Sequence, residues 1–462
     1  MRAWLILSGV SLAILLSVPA QYLGRQQDDL LYIIASQALS EGGYRLLSAP
    51  GLPPLTMVIP GLPVLLLPVT FLARQNFLWH QLFCALIMAS SPWLFWLWLK
   101  TRCGRTEALL LAALFGTSPL VLAQAGTVMS EGPYLILVFA LLFALERRRR
   151  VPAVIATLLL CLTQLRPAGL SLLPAALKQK KWSEGALITA IPAAALAVWS
   201  YWSWQAKGNV QESREFWLSY RGQPWHHLFA LAFDNARFYL MAWGSCYLPV
   251  SWGAATSALA LGALLLAIVI KGMTRAGREP AILMLAAGLG MHAVWGWQYE
   301  RYLIPLLPWL LWAGGKGLGP RARPVLAVLL AAQLLFHLPY WVGRAHSRSQ
   351  PELAQTYDWI KFHTDPAAIL ASPFYVRDGY YAARPSLPLP DSEQPQEFAG
   401  RLKRARARYV LWQEDIDAGL SLAAGSAVQR KLNLVATHLH NRFLFHKIYE
   451  NSSEKTALYE IN

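Results

Sequence analysis

Two adjacent aspartates, Asp28 and Asp29, are the first residues of the sequence that could perform chemistry. They follow an apolar run and precede a segment whose apolar residues, from Leu30 to Leu39, have the spacing of an amphipathic helix lying on a membrane. A helix cap and a favourable interaction with the helix dipole account for one aspartate. They do not account for two beside a proline-rich apolar loop. Because acids are scarce at a membrane edge, we interpret the pair as functional.

Three further charged residues, Glu131, Arg166 and Arg301, fall at later turns on the same side of the predicted membrane. Each has a structural alternative, because Glu131 could belong to a helix cap with Ser130 and each arginine could extend its charged group to the interface. Together with the aspartates, they would place acids and arginines at one membrane depth. That arrangement suits an anionic lipid headgroup with an acid–base reaction beside it.

The composition is that of an integral membrane protein. Of 462 residues, 55% are hydrophobic and 14% are charged, whereas soluble domains contain about 25% charged residues. The 20 Trp and 18 Tyr suit the interfaces of a membrane. The net charge of +16 would suggest nucleic acid in a soluble protein, but here it lies in short basic loops, so we predict no nucleic-acid partner. The cysteines form no CxxC pair, which argues against disulfides and a thiolate metal site.

Apolar segments alternate with basic clusters over residues 1–344. We interpret Leu5–Ala20 as an uncleaved first helix rather than a signal peptide, because it lacks a clear small-residue cleavage site. Short basic loops stay in the cytoplasm. This rule predicts an all-α domain of about eleven transmembrane helices, with the N-terminus in the cytoplasm and the C-terminal domain outside. The helices are predicted near residues 5–20, 77–99, 106–124, 133–145, 152–165, 167–177, 184–204, 243–270, 280–296, 302–315 and 324–341.

The segments between and after these helices complete the predicted architecture. Residues 21–76 form the first outer loop, with amphipathic helices. Prolines between residues 117 and 177 predict broken helices that line a cavity rather than lipid. Residues 345–462 predict a small α/β domain outside the cytoplasm, which would orient an acceptor rather than perform chemistry because its acids show no catalytic spacing. Its helices are predicted at 351–363 and 397–405, and its buried strands at 367–372 and 408–412.

The order of several short motifs resembles the GT-C glycosyltransferases, in particular the bacterial protein-O-mannosyltransferase and lipid A aminoarabinose-transferase type. The resemblance covers most of the chain. It rests on Asp28-Asp29-Leu-Leu-Tyr32, Pro53-Pro54, Ser130-Glu131, Arg166-Pro167, Arg301-Tyr302 with Pro305, and the outer C-terminal domain. The sequence departs from the family before the proline element, where aminoarabinose transferases carry Glu-Lys and this chain has Leu52-Pro53.

The resemblance implies an inverting glycosyltransferase with a hexosyl or pentosyl donor linked to polyprenyl phosphate. The acceptor would be a glycolipid, a polysaccharide or a protein outside the cytoplasm. Asp28 would be the base for the acceptor hydroxyl, and Arg166 and Arg301 would bind the donor phosphate. The expected location is the inner (plasma) membrane, as a multi-pass protein in the lipid bilayer.

The same resemblance implies roles for four more residues. Asp29 and Glu131 would be catalytic residues that orient the acceptor or the base, and Tyr32 and Tyr302 would bind substrate. The acids could also hold a divalent cation, although we predict no obligatory metal and no other cofactor.

Two other functions stay open from the sequence. A transporter or flippase would also have broken helices and intramembrane charges, although the sequence shows no inverted repeat and its acids cluster at the outer surface. A ligase or polymerase would use a lipid-diphosphate-linked glycan in place of the monophosphate. P-loop, GxGxxG and HExxH signatures are absent, so nucleotide-driven and zincin chemistry have no support.

Overall fold

The chain folds into a long helical part followed by a small α/β part. The computed structural model describes residues 2–18, 23–24, 28–73, 76–147, 149–163, 182–206, 225–249, 255–277, 279–295, 298–345, 353–414 and 432–462. The helical part contains α1 (Arg2–Leu16), α2 (Asp28–Ser40), α3 (Gly61–Ala73), α4 (Phe77–Leu99), α5 (Arg105–Gly116), α6 (Pro119–Gln124), α7 (Glu131–Glu146), α8 (Arg150–Thr163), α9 (Trp182–Gln205), α10 (Trp225–Ser245), α11 (Ala255–Ala276), α12 (Pro280–Ala293), α13 (Leu307–Leu318), α14 (Ala322–Phe336) and α15 (Leu338–Ala345). Short 3₁₀ helices lie at Glu300–Leu303 and Gly319–Arg321.

The α/β part begins with α16 and ends with a β-hairpin. Its elements are α16 (Ala354–His363), β1 (Ile369–Ser372), α17 (Tyr375–Ala382), β2 (Ser386–Pro388), α18 (Pro395–Arg404), β3 (Ala407–Gln413), β4 (Phe445–Asn451) and β5 (Thr456–Ile461). A further helix covers residues 432–439. The helices α16 and α18 and the strands β1 and β3 lie where the sequence predicts them.

Among the described residues, three helical stretches are long and apolar enough to cross a membrane. They are Phe77–Leu99, Thr256–Ala276 and Leu307–Tyr340, with shorter apolar helices at Ala3–Leu16, Gly61–Ala73 and Pro280–Ala293. The helical part therefore has the composition of a multi-pass membrane protein, and the number of crossings stays a prediction.

Prolines set several helix boundaries. Pro119, Pro280 and Pro395 each occupy the first turn of a helix, where a missing N–H breaks no hydrogen bond. The sequence predicts one helix at 106–124, but the structure divides it into α5 and α6 directly before Pro119. Proline disfavours helical geometry in the residue before it, and this explains the division.

The structure corrects the prediction of a single helix at 243–270. Two helices, α10 and α11, occupy this region, and α10 lies mostly in what the sequence predicts to be an outer loop. Hydropathy misses α10 because Asp234 and Asn235 interrupt its apolar run. The Asn235 side chain is fully buried and donates to the backbone oxygen of Trp295 at 2.7 Å. The polar residue thus joins α10 to the chain that follows α12.

Glycines allow α10, α11 and α13 to pack with their backbones in contact. A Cβ added to Gly262 of α11 would lie 2.0 Å from the carbonyl oxygen of Leu240 in α10. One added to Gly272, further along α11, would lie 1.7 Å from the carbonyl oxygen of Ala313 in α13. Small residues at such contacts are typical of helix association in membranes.

The α/β part is a five-stranded sheet with the strand order β2-β1-β3-β5-β4. β1 is parallel to β2 and to β3, whereas β5 is antiparallel to β3 and β4. Successive side chains of a strand face opposite sides. Leu370 and Leu411 pack in a core with residues of α16, and Ala371 and Val410 pack in another with residues of α18. Helices therefore cover both faces of the sheet.

Candidate functional site

Helix α2 begins with both aspartates. Asp28 and Asp29 form its first turn, where the partial positive charge of a helix N-terminus favours carboxylates. The helix is held by its apolar residues, since Leu30, Ile33 and Ile34 are completely buried. The sequence predicts that these apolar residues lie on the membrane, but the structure buries them within the protein, and this packing fixes the position of the aspartates.

Asp28 forms an ion pair with Arg301, which is 273 positions further along the chain. Nη2 of Arg301 donates to Oδ2 of Asp28 at 2.6 Å. The Arg301 side chain is 4% exposed, whereas that of Asp28 is 44% exposed. A buried guanidinium thus anchors a carboxylate that stays accessible.

The Arg301 guanidinium has a further set of partners that fix its plane. Nη1 donates to the sulfur of Met129 at 3.1 Å. The guanidinium carbon lies 4.7 Å from the ring centroid of Tyr299 and 5.5 Å from that of Tyr302. Arginine stacks on aromatic faces in this way, which also shields it from water.

Glu131, the first residue of α7, faces the same guanidinium. Its Oε1 lies 3.9 Å from Nε of Arg301, and its side chain is 5% exposed. Its Oε2 is buried and has no hydrogen-bond partner among the residues that the structure describes. Two carboxylates, from Asp28 and Glu131, therefore share one guanidinium.

Asp29 accepts hydrogen bonds from backbone N–H groups. Its Oδ1 accepts from the N–H of Leu30 at 2.8 Å and from the N–H of Gly24 at 3.0 Å. The residue is 3% exposed. Burial raises the pKa of Asp29 to about 6, and the N–H groups of Leu30 and Gly24 partly oppose that rise. The sequence gives no signal for Gly24 as a partner of Asp29, because the bond depends on the path of the chain before α2.

Tyr32 and Tyr302 lie near these charged groups. The Tyr32 hydroxyl, one turn after Asp28, donates to Oγ of Ser130 at 3.4 Å. Burial raises the pKa of Tyr32, so its hydroxyl keeps its proton at neutral pH. The Tyr302 ring lies 5.6 Å from that of Tyr299, edge to face. Asp28, Asp29, Glu131, Tyr32, Arg301 and Tyr302 are thus brought together, whereas Arg166 lies outside the described residues.

The described carboxylates do not form a metal site of the usual kind. No group of three or more His, Cys, Asp or Glu side chains is placed to hold a metal ion in the part of the chain that the structure describes. Oδ2 of Asp28 already accepts from Arg301, and Glu131 lies beside the same positive charge. A cation between these acids would have to displace the guanidinium.

The comparisons with known proteins give structural matches alone. No protein-family model matches the sequence, and no curated protein matches it. Among solved structures, ArnT from Cupriavidus metallidurans bound to undecaprenyl phosphate is similar with a TM-score of 0.58 and 12% identity, over 98% of this chain and 97% of that chain. The Archaeoglobus fulgidus oligosaccharyltransferase in complex with Zn and sulfate is similar with a TM-score of 0.55 and 13% identity, over 99% of this chain and 73% of that chain.

The chain has the GT-C glycosyltransferase fold. The same Archaeoglobus enzyme tethered to an acceptor peptide also matches, with a TM-score of 0.57 and 10% identity, over 100% of this chain and 74% of that chain. Proteins with the GT-C fold are polytopic membrane proteins, which agrees with the apolar helices of this chain. The resemblance found in the sequence motifs is therefore confirmed for the fold.

Proposed function

We propose that the protein is a membrane glycosyltransferase that moves a sugar from a polyprenyl-phosphate-linked donor to an acceptor outside the cytoplasm. One observation carries this proposal: an accessible carboxylate, Asp28, is anchored on the buried Arg301 within a GT-C fold. A base that touches solvent on one side and a cation on the other suits proton transfer beside a phosphate. The acceptor is a glycolipid, a polysaccharide or a protein, and the sugar is a hexose or a pentose.

The donor type follows from chemistry and topology. Nucleotide sugars are made in the cytoplasm, whereas the proposed site faces outward, so a lipid carrier must deliver the activated sugar. A solved structure of the same fold, ArnT from Cupriavidus metallidurans, has undecaprenyl phosphate bound. We propose the same class of lipid phosphate here, in the inner (plasma) membrane.

The proposed reaction is a direct displacement. The acceptor hydroxyl oxygen forms a bond to the anomeric carbon while Asp28 takes the hydroxyl proton. The bond between the anomeric carbon and the phosphate oxygen breaks, and the polyprenyl phosphate leaves with the bonding electrons. Attack on the face opposite the leaving group inverts the anomeric centre.

The leaving phosphate needs positive charge, and we propose Arg166 and Arg301 for it. Because Asp28 already pairs with Arg301, a phosphate that approaches this guanidinium competes for it and loosens the pair. Donor binding would thereby release the carboxylate that the next step needs. Glu131 would keep the guanidinium in place during this exchange, because it approaches from the Nε side.

The remaining residues of the site would hold the substrate or the base. Tyr32 and Tyr302 lie near the charged groups and present ring edges and hydroxyls to a sugar. Asp29 would fix the first turn of α2 through its two backbone hydrogen bonds. The proposal contains no metal-dependent step, since Arg301 takes the position that a cation would need between Asp28 and Glu131.

The test is a transfer assay with purified protein in detergent. A panel of radiolabelled undecaprenyl-phosphate-linked pentoses and hexoses is incubated with an envelope extract that supplies acceptors. We expect label in the acceptor fraction and release of undecaprenyl phosphate, with the same rate in the presence of EDTA. Use of diphosphate-linked donors alone would identify a ligase or polymerase. Movement of intact labelled lipid across proteoliposomes without transfer would identify a flippase.

A further inference from the structure

The C-terminal domain contacts the segment that leads into α2. The hydroxyl of Tyr381, in α17, donates to the carbonyl oxygen of Leu23 at 2.8 Å and accepts from the N–H of Leu23 at 3.1 Å. These contacts join positions 358 residues apart in the chain. One side chain of the C-terminal domain therefore holds both polar groups of a single backbone position in the first loop.

The next residue, Gly24, connects this contact to the aspartates. Its N–H donates to Oδ1 of Asp29 at 3.0 Å. Its φ of +107° is one that only glycine adopts readily. A Cβ at Gly24 would also lie 2.8 Å from Cγ of Arg377 in α17. Backbone conformation and close approach to the C-terminal domain both require glycine at this position.

The contact is part of a larger shared surface. Tyr375 and Val376 of α17 belong to the same buried hydrophobic cluster as Leu30 and Ile34 of α2. Elsewhere on this surface, the N–H of Ser386 donates to the carbonyl oxygen of Ser48 in the first loop at 2.8 Å. The domain is thus packed against α2 as well as hydrogen-bonded to the segment before it.

The position of this surface on the sheet explains why it is suited to hold a peptide. In open α/β sheets, the crevice beyond the carboxyl ends of neighbouring parallel strands is where ligands bind. Here α17 follows the carboxyl end of β1, and Nη2 of Arg377 donates to the side chain of Gln413 at the end of β3, at 3.1 Å. The Gly24 backbone lies against Arg377 at this crevice.

We propose that the C-terminal domain positions the catalytic aspartates, with Tyr381 as the positioning residue that holds Leu23 and Gly24 for the hydrogen bond to Asp29. The catalytic consequence of this inference rests on the proposed function. The contact between Tyr381 and the segment before α2 does not depend on that function. Loss of the Tyr381 hydroxyl would free the Leu23 backbone, weaken the Gly24 bond and loosen the first turn of α2, which carries Asp28.

The pH dependence of the reaction should respond to the same contact. The N–H of Gly24 favours the ionised form of Asp29, while burial and the nearby Asp28 oppose it and Arg301 favours it. A weaker Gly24 bond therefore raises the pKa of Asp29 further. If Asp29 must be ionised for full activity, the acid limb of the pH–rate profile moves upward by roughly half a unit to one unit.

The first experiment measures the loop directly, by hydrogen exchange and mass spectrometry on the full-length protein. Tyr381→Phe keeps the ring and removes the hydroxyl, and Tyr380→Phe is the matched control on the adjacent ring, which contacts Phe77. We expect peptides covering 23–31 to exchange about tenfold faster or more in Tyr381→Phe, since two hydrogen bonds are lost. Tyr380→Phe should leave their exchange unchanged. Unchanged exchange in Tyr381→Phe would overturn the proposal whether or not the protein is a transferase.

A second pair of variants tests the same contact by changing the first loop instead of Tyr381. Gly24→Ala and Gly42→Ala each place a side chain at a positive φ, because the glycines have φ values of +107° and +82°. A Cβ at Gly42 meets nothing within 4 Å, whereas one at Gly24 meets Arg377. We expect faster exchange over 23–31 in Gly24→Ala alone. If the two alanine substitutions changed this exchange equally, backbone strain rather than contact with the C-terminal domain would control the exchange of the segment, which would overturn the proposal.

The catalytic half is tested in the transfer assay. Tyr381→Phe should lower kcat about tenfold, leave the KM for the lipid-linked donor within about twofold and shift the acid limb upward. Tyr380→Phe should match the wild type in all three. Faster exchange with unchanged kcat and pH profile would overturn the positioning role. If the wild type transfers nothing, the proposed function fails, and the exchange data still decide whether Tyr381 holds the loop.

Discussion

Asp28 and Asp29 are neighbours in sequence with opposite environments. Asp28 is 44% exposed on its side chain and paired with a buried cation. Asp29 is 3% exposed and accepts two backbone N–H groups. A group that exchanges a proton with an acceptor must be reachable, whereas a group that fixes a backbone turn need not be. The environments therefore support the proposal that Asp28 is the base and Asp29 a positioning residue.

Replacement of Asp28 by asparagine tests this assignment. Asp28→Asn keeps an oxygen that can accept from Arg301 and removes the basicity. We expect turnover to fall by about a hundredfold or more, the usual contribution of a general base, while undecaprenyl phosphate still binds. Initial rates and lipid binding on the same preparation measure the two effects. Asp29→Asn is the isosteric control and should lose less turnover. If Asp29→Asn is inactive while Asp28→Asn stays active, the roles of the two aspartates are the reverse of those proposed.

Asp29 should also make stability depend on pH. Its pKa is raised from 3.8 to about 6, so the folded protein binds the proton more tightly than the unfolded chain. The cost of burying the charge is fully present above about pH 6 and disappears as the pH falls towards roughly 4. Asp29→Asn should therefore be more stable than the wild type by about 1–3 kcal/mol at pH 7.5, and by only about a third as much at pH 4.5. Thermal unfolding in detergent at the two pH values measures this, and a difference that does not change with pH would contradict it.

At the scale of elements, the sequence predicts what depends on local pattern. The period of apolar residues places α2, and short apolar runs place β1 and β3. The pairing of Asp28 with Arg301 has no local signal, because it joins the start of α2 to a 3₁₀ helix 273 positions further along the chain. The bond between Gly24 and Asp29 has no signal either, because it depends on the path of the chain before α2. Hydropathy does not detect α10, because polar residues interrupt its apolar run. The hydrogen-bond partner of Asn235 is brought close only in the folded protein.

The packing of α11 against α13 yields a prediction at the same scale. Gly272→Ala places a Cβ 1.7 Å from the carbonyl oxygen of Ala313, so the helices must move apart. We expect a loss of about 1–3 kcal/mol, typical of overpacking, seen as a lower unfolding temperature in detergent. Gly290→Ala in α12 is the control, because its Cβ would meet nothing within 4 Å. Alanine should there be neutral or stabilising, by up to about 1 kcal/mol. A Gly272→Ala protein as stable as the control would contradict the close approach.

In the described part of the chain, Arg102, Arg275 and Lys316 lie together at the end of α7 opposite to the candidate site. Helix α7 begins at Glu131 in the site and ends at Glu146, which pairs with Arg102. Nζ of Lys316 donates to the carbonyl oxygen of Arg102 at 3.1 Å, and Arg275 donates to that of Lys316 at 3.0 Å. Basic residues in the last turns of α11 and α13 and after α4 are thus within contact of one another. From the positive-inside rule we propose that this end lies in the cytoplasm and the site on the other side of the membrane.

This orientation gives the last prediction, which uses single cysteines in a protein without its native cysteines at 84, 103, 161 and 246. Arg147→Cys lies beside the basic end, and Gln396→Cys lies on an exposed position of α18 in the C-terminal domain. In intact cells made permeable at the outer membrane only, a membrane-impermeant maleimide should label Gln396→Cys and not Arg147→Cys. Lysed membranes are the control, in which both should react. Labelling of Arg147→Cys alone would place the site in the cytoplasm. A nucleotide sugar could then reach Asp28, and the argument for a lipid-linked donor would lose its topological basis.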